Sequence, residues 1–181
     1  MNREIYEAFM LDHAVGALVP GLKAAGDLHV RLSADGAKRA SLWEMVGGAL
    51  LEQDNSHPAG RSAAPKRKSS ADTHDVQEIL DADLDQLDWK SGVSGAKHVK
   101  MGPSGSYLMR MEPNQSVPSH SHSAIEATVV LAGRLEIDGA HYEQGDIAFG
   151  EPGRAHRPRA TEDGECVCFV ARGPRPFWRL T

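Results

Sequence analysis

The chain has 181 residues, of which 40% are hydrophobic and 25% charged, and a formal net charge of −5 at pH 7. This composition is typical of a globular protein, and the acidic balance argues against a general nucleic-acid binder. No apolar run approaches the length of a membrane span, and the first residues contain no signal-peptide core. The only cysteines, Cys166 and Cys168, cannot form a disulfide framework. We therefore expect a soluble cytoplasmic protein.

The first fifty residues predict three short amphipathic helices. From Arg3 to about Gln53, apolar side chains recur at helical spacing. Pro20 fits the first turn of the second helix, and Ser33 and Asp35 could cap the start of the third. A unit of this size has a thin core, so we expect it to gain stability from a partner surface.

The composition changes after the helices. Residues 54–75 are rich in Ser, Ala, Pro, Gly and Lys and have almost nothing to bury, which is typical of a flexible linker. From Trp89 onward, short segments alternate with period two and are separated by Gly, Pro, Asn and Asp, which predicts an antiparallel sandwich or small barrel. The expected organisation is α+β in two domains, a helical unit at 1–53 and an all-β domain at 76–181.

Four residues of the predicted β region have the chemistry of a metal site. His120 and His122 are two residues apart, so on a strand they project to the same face, and Glu126 returns to that face four residues later. His156 follows a Pro-Gly turn further along the chain. Three neutral imidazoles and a carboxylate suit zinc or another first-row divalent ion. Exposed histidines beside a turn are the alternative, which would suit a lone H-x-H pair better than this set of four.

These positions resemble the two sequence motifs of the cupin superfamily. The matching residues are His120, His122, Glu126 and Gly133 in the first motif and Gly145, Pro152, Gly153 and His156 in the second. Two positions depart from the pattern, since Asn114 replaces a glycine and Ala160 replaces an asparagine. The resemblance covers roughly residues 85 to 172. It implies a double-stranded β-helix, or jelly-roll barrel, with one divalent metal; we expect zinc, although iron, manganese or nickel would be accommodated by the same ligands.

The N-terminal half resembles the helical domain of ChrR-type anti-sigma factors. MLDHAVGAL at 10–18 and VGGALLE at 46–52 follow the order and spacing of that family, in which a linker and a cupin-like domain come next. The resemblance implies a transcription regulator of a stress response. Its helices would bind an extracytoplasmic-function sigma factor, and its cupin metal would sense an oxidant or small ligand. A homodimer through the cupin domain is compatible with this organisation.

The helical half departs from the family at its zinc ligands. Family members use an early histidine and an H-x3-C-x2-C segment. Here His29 keeps the second histidine position, but Ser33 and Gly36 replace the cysteines, and Glu4 falls near the early histidine. Serine and glycine supply no thiolate, so we expect no structural zinc in the helices. We interpret His29 as a helix-surface or partly packed imidazole.

Several residues near the predicted site have simple interpretations. Cys166 and Cys168 alternate on one strand and are expected to be packed, reduced thiols rather than a redox pair. His141 is predicted to lie exposed in a turn between strands. Glu151 and Arg154 flank the last histidine, where they could support the site or lie on the surface.

Two functions of different classes remain open from the sequence. The first is an anti-sigma regulator with a sensing cupin domain. The second is a metal-dependent cupin enzyme, a dioxygenase or hydrolase, in which the helices serve packing or dimerisation. No second acid or base is evident near the ligands, so we assign no catalytic residue and favour the regulator.

Overall fold

The structure is a computed structural model that describes residues 2–53, 76–101 and 105–173, except the side chains of residues 48, 50–53 and 93. The predicted linker, 54–75, therefore lies outside the described residues. Within these ranges, no helix combines the length and the apolar character needed to cross a membrane.

The N-terminal unit consists of three helices, as its apolar periodicity predicts. They are α1 (Arg3–Ala14), α2 (Pro20–Leu32) and α3 (Ala34–Gln53). Pro20 occupies the first position of α2, where its missing N–H costs no hydrogen bond. The Ser33 hydroxyl accepts a hydrogen bond from the backbone N–H of Gly36 at 3.3 Å and so caps α3. Asp35 lies inside the first turn of α3 instead of acting as the cap.

The described part of the C-terminal region contains one further helix, a 3-10 turn and nine strands. The helix is α4 (Val76–Asp81), and the turn is Val93–Gly95. The strands are β1 (Lys90–Ser91), β2 (Lys97–Met101), β3 (Ser106–Met111), β4 (Glu126–Ala132), β5 (Leu135–Ile137), β6 (Ala140–Tyr142), β7 (Ile147–Gly150), β8 (Pro158–Ala160) and β9 (Cys166–Arg172). They form two antiparallel sheets, ordered β1-β2-β3-β9-β4-β7 and β6-β5-β8.

This architecture confirms the predicted order, a short helical unit followed by a β-rich region, and corrects its details. The alternating segments correspond to β3, β4, β5, β6 and β9, but β1, β2, β7, β8 and α4 were not predicted. His141 is exposed as expected, but it lies in β6, not in a turn. The hairpin between β5 and β6 turns at 138–139, just ahead of this residue.

The two faces of the larger sheet contact different parts of the molecule, because successive side chains of a strand point to opposite faces. On β9, Val167 and Phe169 belong to a cluster that includes the helices. Cys166, Cys168 and Val170 belong to a second cluster, which the smaller sheet completes. The two cysteines are buried, unpaired thiols with their sulfurs 3.5 Å apart, as the sequence analysis predicted.

The helices pack on the outer face of the larger sheet through one shared core. The cluster joins helical and sheet side chains, namely Tyr6, Phe9, Met10, Leu22 and Leu28 with Val129, Ile147 and Phe169. The α2 helix contacts both β4 and β9. The helical unit therefore does not depend on its own thin core alone, since the sheet covers much of its apolar surface.

His29 lies at the junction between the helices and the sheet, fully buried at 3% exposure. The expectation of a surface or partly packed imidazole was therefore wrong. Its Nδ1 donates a hydrogen bond to the carbonyl of Gly145 at 2.7 Å, and its Nε2 lies 2.9 Å from the hydroxyl of Tyr6. The carboxylate of Asp35, 3.1 Å from that hydroxyl, is a second acceptor for its single proton. Glu4, which falls near the early histidine of the family in sequence, is exposed.

Gly145 allows this junction to close. Its φ is +88°, in the left-handed region that glycine adopts without strain, and a Cβ there would lie 2.5 Å from the backbone oxygen of Leu32. The end of α2 therefore approaches the sheet more closely than any side chain at this position would permit.

The buried His29 predicts a pH-dependent stability. Burial lowers the pKa of His29 below its ordinary value of 6.5. The folded state therefore resists protonation, and its stability should be complete above about pH 6.5 and decrease as the pH falls below that value. His29→Leu should cost about 1–3 kcal/mol near pH 7.5, because it leaves the buried Gly145 carbonyl without its hydrogen-bond donor.

Urea unfolding at about pH 7.5 and 5.5, in the presence of a chelator, measures both effects. His29→Leu should also show a smaller loss of stability on acidification than the wild type. His141→Leu, at an exposed position, is the matched control. Equal pH dependence in the wild type and His29→Leu would contradict the assignment.

Candidate metal centre

The structure brings together all four residues that the sequence predicted as metal ligands. Donor atoms of His120, His122, Glu126 and His156 lie within 4.8 Å of one another. Glu126 begins β4, but His120 and His122 lie in isolated bridges and not in a regular strand. His120 exchanges two backbone hydrogen bonds with His156, at 3.1 and 2.9 Å, which fixes the two segments side by side.

The separations between the donor atoms fit a single metal ion. The Nε2 of His156 lies 3.2 Å from the Nε2 of His120 and 3.2 Å from that of His122. The carboxylate of Glu126 lies 3.2 Å from the Nε2 of His122 and 3.6 Å from that of His156. A tetrahedral ion with bonds of about 2.0–2.1 Å holds its ligands about 3.3 Å apart. This cluster of three histidines and a glutamate could therefore hold a metal ion.

The protonation of the imidazoles also suits a metal. The Nδ1 of His120 donates to the Pro118 carbonyl at 2.8 Å, which leaves the lone pair of Nε2 directed toward the centre. Burial lowers the pKa of both His122 and His156. These rings are therefore neutral near pH 7, which is the form that binds metals. The Nδ1 of His156 is buried and has no hydrogen-bond partner among the described residues.

Gly150 is a supporting residue that the sequence analysis missed. It pairs with Glu126 across β4 and β7. A Cβ at this position would lie 2.9 Å from Cε1 of His156 and 3.3 Å from Cβ of Glu126. The absence of a side chain at Gly150 therefore leaves room for His156 and Glu126. No spacing rule in the sequence indicates this role.

Arg172 is a second residue that the sequence analysis missed. Its Nε donates to the buried carboxylate of Glu126 at 2.8 Å, a charge-assisted bond that fixes the orientation of that carboxylate. Its Nη2 lies 3.4 Å from the hydroxyl of Tyr107, and burial raises the pKa of Tyr107 to about 12. Arg172 lies on β9 two residues beyond Val170, which faces the interior between the sheets. Because residues two apart on a strand share a face, this spacing is the sequence signal that Arg172 points toward the centre.

Glu151 and Arg154 lie on the surface beside the centre. Arg154 is exposed, and its guanidinium lies 3.5 Å from the carboxylate of Glu151. Glu151 is half-buried and also accepts a hydrogen bond from the side chain of Asn2 at 3.4 Å. None of the hydrogen bonds found in the described part of the chain joins this pair to the four donors.

Comparison with known proteins agrees with this geometry. Residues 77–176 match the family described as the ChrR cupin-like domain. The chain belongs to this family. The matched range covers the whole centre, from α4 to the end of β9.

Two relatives extend the similarity beyond the ChrR cupin-like domain. The anti-sigma-E factor ChrR of Cereibacter sphaeroides is 21% identical over 190 residues, which cover 94% of this chain and 89% of that protein. The crystal structure of Rhodobacter sphaeroides SigE in complex with the anti-sigma ChrR contains a chain with a TM-score of 0.74 and 22% identity. That match covers 92% of this chain and 96% of the other. The helices and the cupin domain therefore share one fold with that chain.

A separate cupin structure matches about half of the chain. The Cupin 2 conserved barrel domain protein of Salinispora arenicola is 18% identical, with a TM-score of 0.42, and covers 51% of this chain and 87% of that one.

The ChrR cupin-like domain accommodates both departures from the cupin motifs. Asn114 has a φ of +64°, and asparagine is among the few residues that adopt the left-handed region readily. Ala160 is fully buried in β8 and packs in the cluster between the two sheets. Neither substitution removes a donor atom from the centre.

Metal analysis tests the centre. The purified protein is expected to carry about one divalent ion per chain, because the four donors form one site. His122→Ala and His156→Ala should lose that ion and melt at a lower temperature, whereas the exposed control His141→Ala should retain it. Elemental analysis and thermal unfolding provide the two measurements. A metal-free wild type that melts at the same temperature as His122→Ala would contradict the prediction.

The same samples test the prediction that the helices hold no structural zinc. His29 already uses both ring nitrogens, and His13 lies 2.7 Å from the carboxylate of Asp27. Full-length His122→Ala, supplied with zinc and then desalted, should therefore contain no stoichiometric zinc. Retention of one tightly bound zinc by this variant, and its loss on adding His29→Leu, would identify a helical zinc site and overturn the prediction.

Proposed function

We propose that this protein is a ChrR-type anti-sigma regulator that acts in the cytoplasm. The helical unit at 1–53 binds an extracytoplasmic-function sigma factor, and the cupin domain at 76–181 senses an oxidant or a small ligand at a bound metal. The proposed metal ligands are His120, His122, Glu126 and His156. Zinc is the proposed metal, because imidazole and carboxylate donors suit it and it binds such sites tightly.

The observation that carries this proposal is an apolar surface on the helical unit, here called the α1/α3 surface. Its residues are Leu11, Val15, Leu42, Met45 and Val46. They are the large hydrophobic side chains that remain exposed among the described residues. Leu11 lies on α1 and Val15 caps its C-terminus, while the other three lie on α3, which contacts α1. An exposed patch of this kind is typical of a protein-binding site.

The sequence alone does not indicate which face of each helix is buried against the sheet and which face remains exposed. Other residues of the helices face the sheet, among them the fully buried Met10 and Leu28. By contrast, Val15 is 66% exposed and Met45 is 63% exposed, so the sheet does not cover these two side chains. The packing of the helices on the cupin domain thus leaves the α1/α3 surface available to a partner.

The relatives support the identity of that partner. The similar fold of the ChrR chain that is bound to SigE includes helices and cupin domain together. We infer that the sigma factor of this protein docks on the α1/α3 surface, where it would cover the exposed apolar side chains and so stabilise the helical unit.

The β7 strand gives the metal centre a physical route to the helices. At one end of β7, Gly150 lies against His156, and the neighbouring Phe149 packs on Phe9 of α1 with ring centroids 5.0 Å apart. Ahead of its other end, the Gly145 carbonyl accepts the hydrogen bond from His29 of α2. A displacement of His156 would therefore reach α1 and α2 indirectly, through β7 and the residue that precedes it. Such a coupling is what a sensor requires.

The test is the formation of a complex with a sigma factor. Purified extracytoplasmic-function sigma factors of the source organism, mixed with the full chain, should include one that forms a stable complex by size-exclusion chromatography and calorimetry. Val15→Asp and Val46→Asp should each raise its Kd by about tenfold or more, because the complex would bury an unpaired charge.

His141→Asp is the matched control, since it adds the same charge to an exposed site on the cupin domain. It should leave the affinity unchanged. Steady turnover of a small oxygenated compound, together with no detectable sigma binding, would instead favour the metal-dependent enzyme.

A further inference from the structure

A cavity of about 580 Å³ lies beside the metal centre, between β2, β3 and the end of β9. Its volume is within the range of about 300–1,000 Å³ that is usual for small-molecule sites. The lining residues that define its chemistry are His98, Lys100, Tyr107, Met109, Val117 and Arg172. The cavity shares Arg172 with the metal centre, but it contains none of the four metal donors.

One part of the cavity is apolar. Met109 and Tyr107 are inward-facing residues of β3 that pack against the cluster between the sheets, as does Val117. Ala96 lines the same wall and is also buried. These side chains would cover a hydrocarbon chain or ring, which gains free energy as it leaves water.

The polar part of the cavity is cationic. Lys100 and Arg172 line it together with His98, and no carboxylate does so among the described residues. Lys97 also borders the cavity, but it lies opposite Arg110, so its side chain projects from the other face of the sheet, where it pairs with Glu112 at 3.4 Å. Lys100 is exposed and makes no hydrogen bond or ion pair in the described part of the chain. Its ammonium group is therefore available to an anion.

Arg172, the last residue of β9, offers the cavity a second donor. Its Nε is committed to Glu126 and its Nη2 to Tyr107, while Nη1 has no hydrogen-bond partner in ranges 76–101 and 105–173. A guanidinium held by two neighbours is preorganised, so an anion that binds it restricts little additional side-chain motion.

We propose that this cavity binds an amphipathic monocarboxylate, with its apolar chain against Met109 and Val117 and its carboxylate between Lys100 and Arg172. A neutral apolar molecule would leave the two cations without a counter-charge, and a multiply charged anion would leave the apolar wall unused. The inference goes beyond the proposed function, because it holds whether or not a sigma factor binds. The ligand would also contact the residue that orients Glu126, and so reach the metal centre without displacing a donor.

Direct binding to the full-length, metal-free protein tests the inference, with octanoate as the probe. Removal of metal by a chelator prevents the carboxylate from binding an ion instead of the cavity. Isothermal titration should show one octanoate per chain. Octan-1-ol, which has the same chain without the charge, and acetate, which has the charge without the chain, should each bind at least about tenfold more weakly. Absence of octanoate binding, or equal binding of octan-1-ol, would overturn the inference.

Variants then locate the bound octanoate. Lys100→Glu should weaken binding by about tenfold or more through charge reversal, and Val117→Trp should do so by filling the apolar part. Lys38→Glu makes the same charge reversal at an exposed position of α3 and should bind octanoate as the wild type does. Val15→Asp should also leave binding unchanged, which excludes the α1/α3 surface as the site.

Thermal unfolding of each variant identifies any that fails to fold, and the comparison uses those that melt as the wild type does. Binding that survives both Lys100→Glu and Val117→Trp, or that is lost in Val15→Asp, would place octanoate elsewhere and overturn the inference. Failure of sigma binding would leave these titrations unaffected, so the two proposals fail separately.

Discussion

The pairing of β4 with β9 is the constraint on which the rest of the molecule depends. In this register Glu126 lies opposite Arg172 and Val129 lies opposite Phe169. The first pair forms the ion pair that orients the metal-centre carboxylate, and the second pair lies in the core that holds the helices. A slip of one residue would exchange the two faces of the strand and remove both contacts together. The register of this one strand pair therefore positions both the metal-centre carboxylate and the core on which the helices pack.

The four metal donors could be predicted because their signal is local. The spacing of His120, His122 and Glu126, with a histidine after a Pro-Gly turn, already encodes a set of donors, whatever the exact backbone path between them. Gly150 and Arg172 could not be found in this way. Each acts through a neighbour that is distant in sequence, across a strand pairing that the spacing of the motif does not contain.

The helices were predictable as elements, but their packing was not. The interpretation of His29 as a helix-surface or partly packed residue was wrong because α2 is covered on two sides, by the other helices and by the sheet. A helix of this kind buries residues around most of its circumference, so its apolar pattern does not indicate which polar residue is enclosed. Short strands were missed for a related reason: β8, with the sequence Pro-Arg-Ala, is too short to show an alternating pattern.

The two thiols between the sheets allow the opening of the cupin domain to be followed by their chemical reactivity. Cys166 and Cys168 are the only cysteines in the sequence, and both have no exposed surface. The hydrogen bond with Cys166, together with burial, raises the pKa of Cys168, so the reactive thiolate is scarce while the sheets stay closed. An alkylating reagent can therefore react with these thiols only when the two sheets separate. The rate of labelling therefore measures how often the cupin domain opens, and the wild-type sequence allows this measurement without an added dye or tag.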